Sequence, residues 1–170
     1  MTDDIAIRDA AAADAAVIAL IYNQGIEDRL ATFETSLRTE ADIVARMAES
    51  ARYPILVAER DRAIVGWASL SSYRPRECYA GIAEFSIYLE RNARGRGIGR
   101  RLLSALVDAA RSRGYWKLVS RIFPQNAASR AICKACGFRE VGVYEAHGRL
   151  DGQWLDTVIV ERVIRENLST

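Results

Sequence analysis

The chain has 170 residues, 50% hydrophobic and 27% charged, with 24 Lys and Arg against 22 Asp and Glu for a net charge of +2. That length and composition fit one domain with a real core, and the near balance of charge excludes a protein that coats nucleic acid by bulk charge. No run approaches the ~20 apolar residues of a membrane span, the acidic start Met1-Thr2-Asp3-Asp4 has no signal-peptide pattern, and one His with three Cys cannot build two closed zinc sites or an even disulfide framework, so a reducing, cytoplasmic setting without metal is expected.

Ile5 to Arg8 alternates and predicts a short strand. Asp9 to Glu27 is Ala-rich, with Val17, Leu20 and Ile21 at helical spacing, and predicts a helix. Thr39-Glu-Ala-Asp42 resembles a capping box that opens a second helix, ending near Ser50. Tyr53 to Glu59 and Ala63 to Ser71 predict a hairpin turning at Arg60-Asp61-Arg62. Ser72 to Gly81 is irregular, Ala83 to Leu89 predicts a strand, and Arg91 to Gly99 is a loop of Gly and Arg. From Arg100 to Arg113 the residues Leu102, Leu103, Leu106, Val107 and Ala110 share one helical face, and Gly114 is placed to cap it. Lys117 to Phe123 predicts a strand, Asn126 to Cys136 a helix stopped at Gly137, and Arg139 to Tyr144 and Trp154 to Val163 the last two strands. Strands and helices mix throughout with no repeat, which predicts a single α/β layered domain over residues 1–170 with a mixed sheet.

The stretch Arg94-Gly95-Arg96-Gly97-Ile98-Gly99, between a strand and an amphipathic helix, carries the clearest chemistry. Glycines let backbone N–H groups approach an anion, and the helix adds its positive end. Arg94, Arg96, Arg100 and Arg101 add charge, and a pyrophosphate suits the loop. A plain basic turn that caps a helix has the same composition. A Walker loop is excluded because Gly99 is followed by Arg100 and Arg101. A dinucleotide fingerprint is excluded because the strand that follows has no acidic residue to hold a ribose.

Arg94-x-x-Gly97-x-Gly99 resembles the acetyl-CoA loop of the GNAT N-acetyltransferases. Asn126-Ala-Ala-Ser129 with Cys136-Gly-Phe138 resembles the next motif of that superfamily. The phosphinothricin and methionine sulfoximine acetyltransferases are similar over nearly the whole chain, through Ile21-Tyr-Asn23, Ala31-Thr-Phe33, Leu56-Val-Ala-Glu59, Tyr73-Arg-Pro-Arg76, Glu84-x-Ser86-Ile-Tyr88 and Gly152-Gln-Trp-Leu-Asp156.

That resemblance implies a mostly antiparallel twisted sheet flanked by helices, whose Glu84–Leu89 strand splays from the Lys117–Ile122 strand. It implies an acetyl-CoA arm in the gap, against Ile87, Tyr88 and Leu89, with its phosphates on Arg94 to Gly99 and its amide near Asn126 and Ser129. Direct transfer to a small amino-acid-like amine in a homodimer is implied, with no nucleic acid, membrane or metal partner. Glu84 is the candidate general base, a task for which burial would suit it; a solvated strand-end Glu is the plain alternative. Cys133 stands where an acid for the leaving thiolate is expected; a thiol of ordinary pKa ~8.5 can donate, or can be a small buried hydrophobe. Arg74 and Arg76 are implied to grip a carboxylate with their guanidinium forks, beside Phe33, Tyr79 and Tyr88; solvated arginines and core aromatics are the alternatives. Asn126 suits a helix N-cap by residue type alone, and Ser129 is otherwise an early-helix surface residue. His147 reads as structural or exposed. The family pattern is broken at Gly81 and Ile82, which puts the acceptor rather than the reaction in question. A polyamine or protein N-terminus as acceptor, or an acyl-CoA sensor without catalysis, stays open.

Overall fold

Period-two alternation along β2 (Ile55–Arg60) and β3 (Ala63–Ser72) divides their side chains between two cores. Leu56, Ala58, Ala68 and Leu70 face one core, while Ile55, Val57 and Trp67 face the other. The two strands turn tightly at Asp61-Arg62, both left-handed (φ 51° and 64°), as a two-residue hairpin of this twist requires. The computed structural model describes residues 4–169; the acidic start, Met1 to Asp3, lies outside them.

With β1 (Ile5–Asp9), β4 (Ile82–Leu89), β5 (Lys117–Ile122), β6 (Arg139–Leu150) and β7 (Gln153–Val163), these strands form one sheet in the order β1-β2-β3-β4-β5-β7-β6. Neighbours are antiparallel except β4 and β5. Helix α3 (Ile98–Ser112) lays Leu102, Leu103, Leu106, Val107 and Ala110 on one face of the sheet, and α4 (Ala127–Ala135) packs beside it. Helices α1 (Ala15–Asp28) and α2 (Glu40–Met47) cover the other face through Ile18, Ile21 and Ile43. The mixed, mostly antiparallel α/β layering expected from the sequence is the architecture found.

Several boundaries differ from those expected, these four among them. The first helix begins at Ala15, because the buried carboxylate of Asp14 accepts from Ala11 N–H at 2.7 Å and from Arg8 at 2.7 Å and holds residues 12–14 in a 3-10 turn. Thr39 and Asp42 do form the capping box, but α2 stops at Met47 rather than Ser50. Helix α3 begins at Ile98, two residues before Arg100, because Gly97 itself is the left-handed N-cap. Strand β6 continues past Tyr144 to Leu150 through an irregularity between Tyr144 and Gly148, pinned where Asp156 accepts from Ala146 N–H at 2.7 Å. That irregularity interrupts the alternation on which the sequence reading relied.

Candidate active site

β4 and β5 pair in parallel only at Ile82, Ala83 and Glu84, and then part. At the parting point the Ser120 hydroxyl donates to the Phe85 carbonyl at 3.0 Å, which fixes the Phe85 backbone toward β5. Strand alternation then turns the backbone groups of Ile87 and Leu89 the same way, while Ser86 and Tyr88 turn theirs toward β3. The expected splay is present, and the amides of Ile87 and Leu89 face the gap. Tyr88, expected beside the cofactor, lines the cleft, with its ring between Tyr22 and Trp67 at 4.8 and 5.1 Å between centroids. A cleft of about 770 Å³ opens from the gap and is lined by Glu84, Ile87, Leu89, Arg94, Gly95, Asn126, Ser129 and Cys133 among others.

Gly95 and Gly97 are both left-handed (φ 76° and 79°), and a Cβ built on either meets nothing within 4 Å. The loop is a cradle whose empty space a side chain would fill, ending on the N-terminus of a 15-residue helix. This fits an anion such as the pyrophosphate of acetyl-CoA. Asp28 braces the loop, accepting from Arg91 at 2.8 Å and pairing with Arg94 at 2.9 Å; Arg91, then burial, then Arg94 set its balance, and the arginines hold its carboxyl below the usual range. Of the arginines expected to serve the phosphates, Arg101 is turned away, donating to the Ile5 carbonyl at 2.6 Å. Ile98 and Gly99 are buried, so any contribution they make to an anion is through backbone.

Glu84 lies at the mouth of the gap, paired to Arg121 at 2.7 Å, and its side chain is 28% exposed. The burial expected of it is therefore replaced by a charge partner. Asn126 caps α4, its side chain accepting from Ser129 N–H at 3.2 Å. Cys133 reaches the cleft from α4 but is only 3% exposed, and burial, chiefly, pushes its thiol up to about 12. Phe33 stands in the cleft wall edge-on to Phe123 at 4.9 Å. Arg74 and Arg76 do not line the cleft: each lies over an aromatic ring of its own loop, Tyr73 at 5.3 Å and Tyr79 at 5.7 Å. Their loop leaves β3 at Ser72, beside the Glu84 end of β4.

Arg46, Arg121 and Thr157 are polar cleft residues that the sequence reading did not single out, and His147, read as structural or exposed, also lines the cleft. Arg121 lies two residues beyond Val119, the register partner of Glu84, so the alternation of Lys117 to Ile122 was its available signal. His147 sits at the β6 irregularity, 3.4 Å from Arg121 and against Tyr144. Thr157 is fully buried, and its hydroxyl has no partner among the described residues. No group of three or more His, Cys, Asp or Glu among the described residues could hold a metal, and none of their helices is long and apolar enough to cross a membrane.

The acetyltransferase (GNAT) family model matches residues 22–138. The chain is 37% identical over 162 residues to the L-methionine sulfoximine/L-methionine sulfone acetyltransferase of Pseudomonas aeruginosa, covering 91% of this chain and 92% of that protein. It is 34% identical over 160 residues to the phosphinothricin N-acetyltransferase of Alcaligenes faecalis, covering 92% and 81%. The crystal structure of a phosphinothricin acetyltransferase from Sinorhizobium meliloti in complex with acetyl-CoA superposes with a TM-score of 0.90 at 36% identity, covering 98% of this chain and 91% of that one. Glycine cradle, parted strands and these relatives agree: the chain belongs to the acetyltransferase (GNAT) family and is an acetyl-CoA-dependent acyltransferase.

Proposed function

We propose that this enzyme acetylates the α-amine of a small amino acid or analogue of the phosphinothricin, methionine sulfoximine or methionine sulfone type. The observation that carries the reading is the parting of β4 and β5 at Glu84, which brings a carboxylate, two outward amides and the phosphate cradle into one cleft. Its relatives named for those substrates supply the acceptor class.

Bound acetyl-CoA supplies the activated acetyl carbonyl. Glu84 takes the proton of the ammonium, directly or through water, since an amine attacks only when deprotonated. An amide of Ile87 or Leu89 meets the oxyanion, a contact whose removal typically costs ~3 kcal/mol of barrier. Asn126 and Ser129 hold the pantetheine arm. Arg74 and Arg76 hold the α-carboxylate, a role supported by their place beside the Glu84 end of β4. We assign Cys133 to packing, because a thiol held at about 12 is a poor proton donor. As the C–S bond breaks, the CoA thiolate takes the second proton, which the attacking nitrogen sheds on becoming an amide. A homodimer is part of the proposal, supported by the edge strand β6, which exposes Val141, Val143 and Tyr144. So are a reducing compartment, in keeping with three free cysteines, and a detoxifying role against such analogues.

The test is thiol release from acetyl-CoA with methionine sulfoximine, its methyl ester and a polyamine. The free acid is the expected substrate. Preference for the polyamine, or equal use of the ester, overturns the amino-acid reading, and no turnover with any amine leaves a sensor. Glu84→Gln is expected to lower kcat/KM for the amine by about 10²–10⁴, with the defect shrinking at high pH, where free amine is abundant. Wild-type activity in that variant at neutral pH removes Glu84 from the mechanism.

A further inference from the structure

The α1/α2 face of the sheet carries a polar strip beside the cleft. Strand register sets Ser71 opposite Glu84 and Ser69 opposite Ser86, all on one face. Over Ser69 lies Arg46 of α2, half-buried, donating from Nη2 to the Ser69 hydroxyl at 2.7 Å with its guanidinium 5.5 Å from the centre of the Trp67 ring. Ser69 and Trp67 are fully buried. Arg46 has no ion pair with a carboxylate among the described residues. Its titratable neighbours are Arg38, which pairs with Glu34 at 2.7 Å, and the neutral phenols of Tyr22 and Tyr88. A guanidinium has five N–H donors, and one of them is used here. Burial weighs against the charge and lowers Arg46 from its ordinary value. A desolvated cation that lines the cleft without an anion is half of an ion pair.

Register also says which group completes it. Ser69 lies two residues along β3 from Ser71, about 7 Å from the level of Glu84. An acceptor amine at Glu84 has its own carboxylate carbon roughly 2.5 Å away, by bond lengths alone. That group stays near the level of Glu84, short of the level of Ser69. A substituent on the γ-carbon, four bonds of roughly 1.5 Å from the nitrogen, extends about 5 Å with its oxygens beyond. We propose that Arg46, seated on Ser69, is the specificity site for the far end of the acceptor side chain and takes a tetrahedral, oxygen-bearing group, an anionic phosphinate above a neutral sulfone. The proposal rests on the amino-acid reading of the acceptor.

The experiment compares wild type, Arg46→Met and Arg46→Lys with phosphinothricin, methionine sulfone and methionine at saturating acetyl-CoA. Arg46→Met is expected to raise KM for phosphinothricin by about 10- to 100-fold, as for a lost charge-assisted hydrogen bond. The rise for methionine sulfone is smaller, and that for methionine at least 10-fold smaller. Arg46→Lys recovers part of the phosphinothricin affinity. An equal loss for methionine and phosphinothricin, or no loss for either, overturns the proposal while leaving the amino-acid reading intact. A second arm reads binding without turnover, as the melting temperature of each protein with methylphosphonate, saturating CoA filling the phosphate loop. Stabilisation of wild type beyond Arg46→Met is expected, and equal stabilisation overturns the site. If wild type acetylates none of the three acceptors, the amino-acid reading falls and the melting arm alone decides Arg46.

Discussion

Cys133 and Glu84 face the same cleft and illustrate what a single residue type discloses. The thiol of Cys133 is pushed from its ordinary range, about 8.5–9, up to about 12, first by burial. In the unfolded chain it ionises near 9; in the folded chain it does not until about 12. Its contribution to stability is therefore complete below pH 9 and is lost as pH climbs from there toward 12. Cys133→Ala is expected to leave turnover almost unchanged, to cost roughly 1–2 kcal/mol of stability through the emptied volume, and to flatten the alkaline decline. Denaturant melts at pH 7 and 10 check this, and a fall in turnover by about two orders of magnitude, the scale of a lost general acid, returns Cys133 to the chemistry. Cys78, which is exposed, is expected to alkylate first. The sequence showed that a thiol stands there; its burial comes from packing by distant segments, which no local pattern records. Glu84 was legible through its motif, yet its partner Arg121 belongs to a strand 37 residues away. Gly81 is likewise explained only in three dimensions: a Cβ there would stand 2.0 Å from the Trp116 ring, so the absence of bulk at one position answers its presence at the other.

At the scale of elements, the loop between β4 and α3 combines backbone shape with charge. Gly97 (φ 79°) and Gly114 (φ 83°) bracket α3, both left-handed and both with open space around a built Cβ. Alanine at either carries a similar backbone cost, about 1–2 kcal/mol. Gly97→Ala is expected to lose CoA affinity as well, because its methyl enters the cradle, whereas Gly114→Ala is expected to lose stability alone. Calorimetric titration with CoA beside thermal melts separates the two, and matching affinities remove Gly97 from the phosphate site. Amphipathic α3 and the alternating strands were readable because one face of each meets a core. The starts of α1 and α3 were not, because Asp14 and Gly97 set them through a carboxylate bridge and a left-handed turn, which residue periodicity does not encode.

Across the whole molecule the two faces of the sheet divide the labour. The α3/α4 face holds the larger core and the cradle; the α1/α2 face holds Glu84, Arg121 and Arg46. The hairpin of β6 and β7 extends the sheet at one edge and leaves Val143 and Trp154 54% and 63% exposed. If that edge joins two copies, Val143→Lys is expected to shift the sedimenting species from dimer to monomer with the fold retained, and a monomeric wild type refutes the dimer. Layer type could be foreseen from the order of elements, and the central splay from the family resemblance. The cleft's second set of polar residues could not, because strand register, not spacing along the chain, puts Ser69, Ser71, Glu84 and Arg121 side by side.

The parting of β4 from β5 also makes the free enzyme an unfinished sheet. Past Glu84, β4 is laced to β3 along one edge, while Ile87 and Leu89 turn their amides to solvent along the other. Hydrogen–deuterium exchange should therefore differ between alternate residues of one strand: slow at Ser86 and Tyr88, fast at Ile87 and Leu89. A donor arm lying along that edge acts as a borrowed strand, and on saturation the fast pair should slow to match the other two. Occupancy of the site can thus be read from two amides, without any turnover at all.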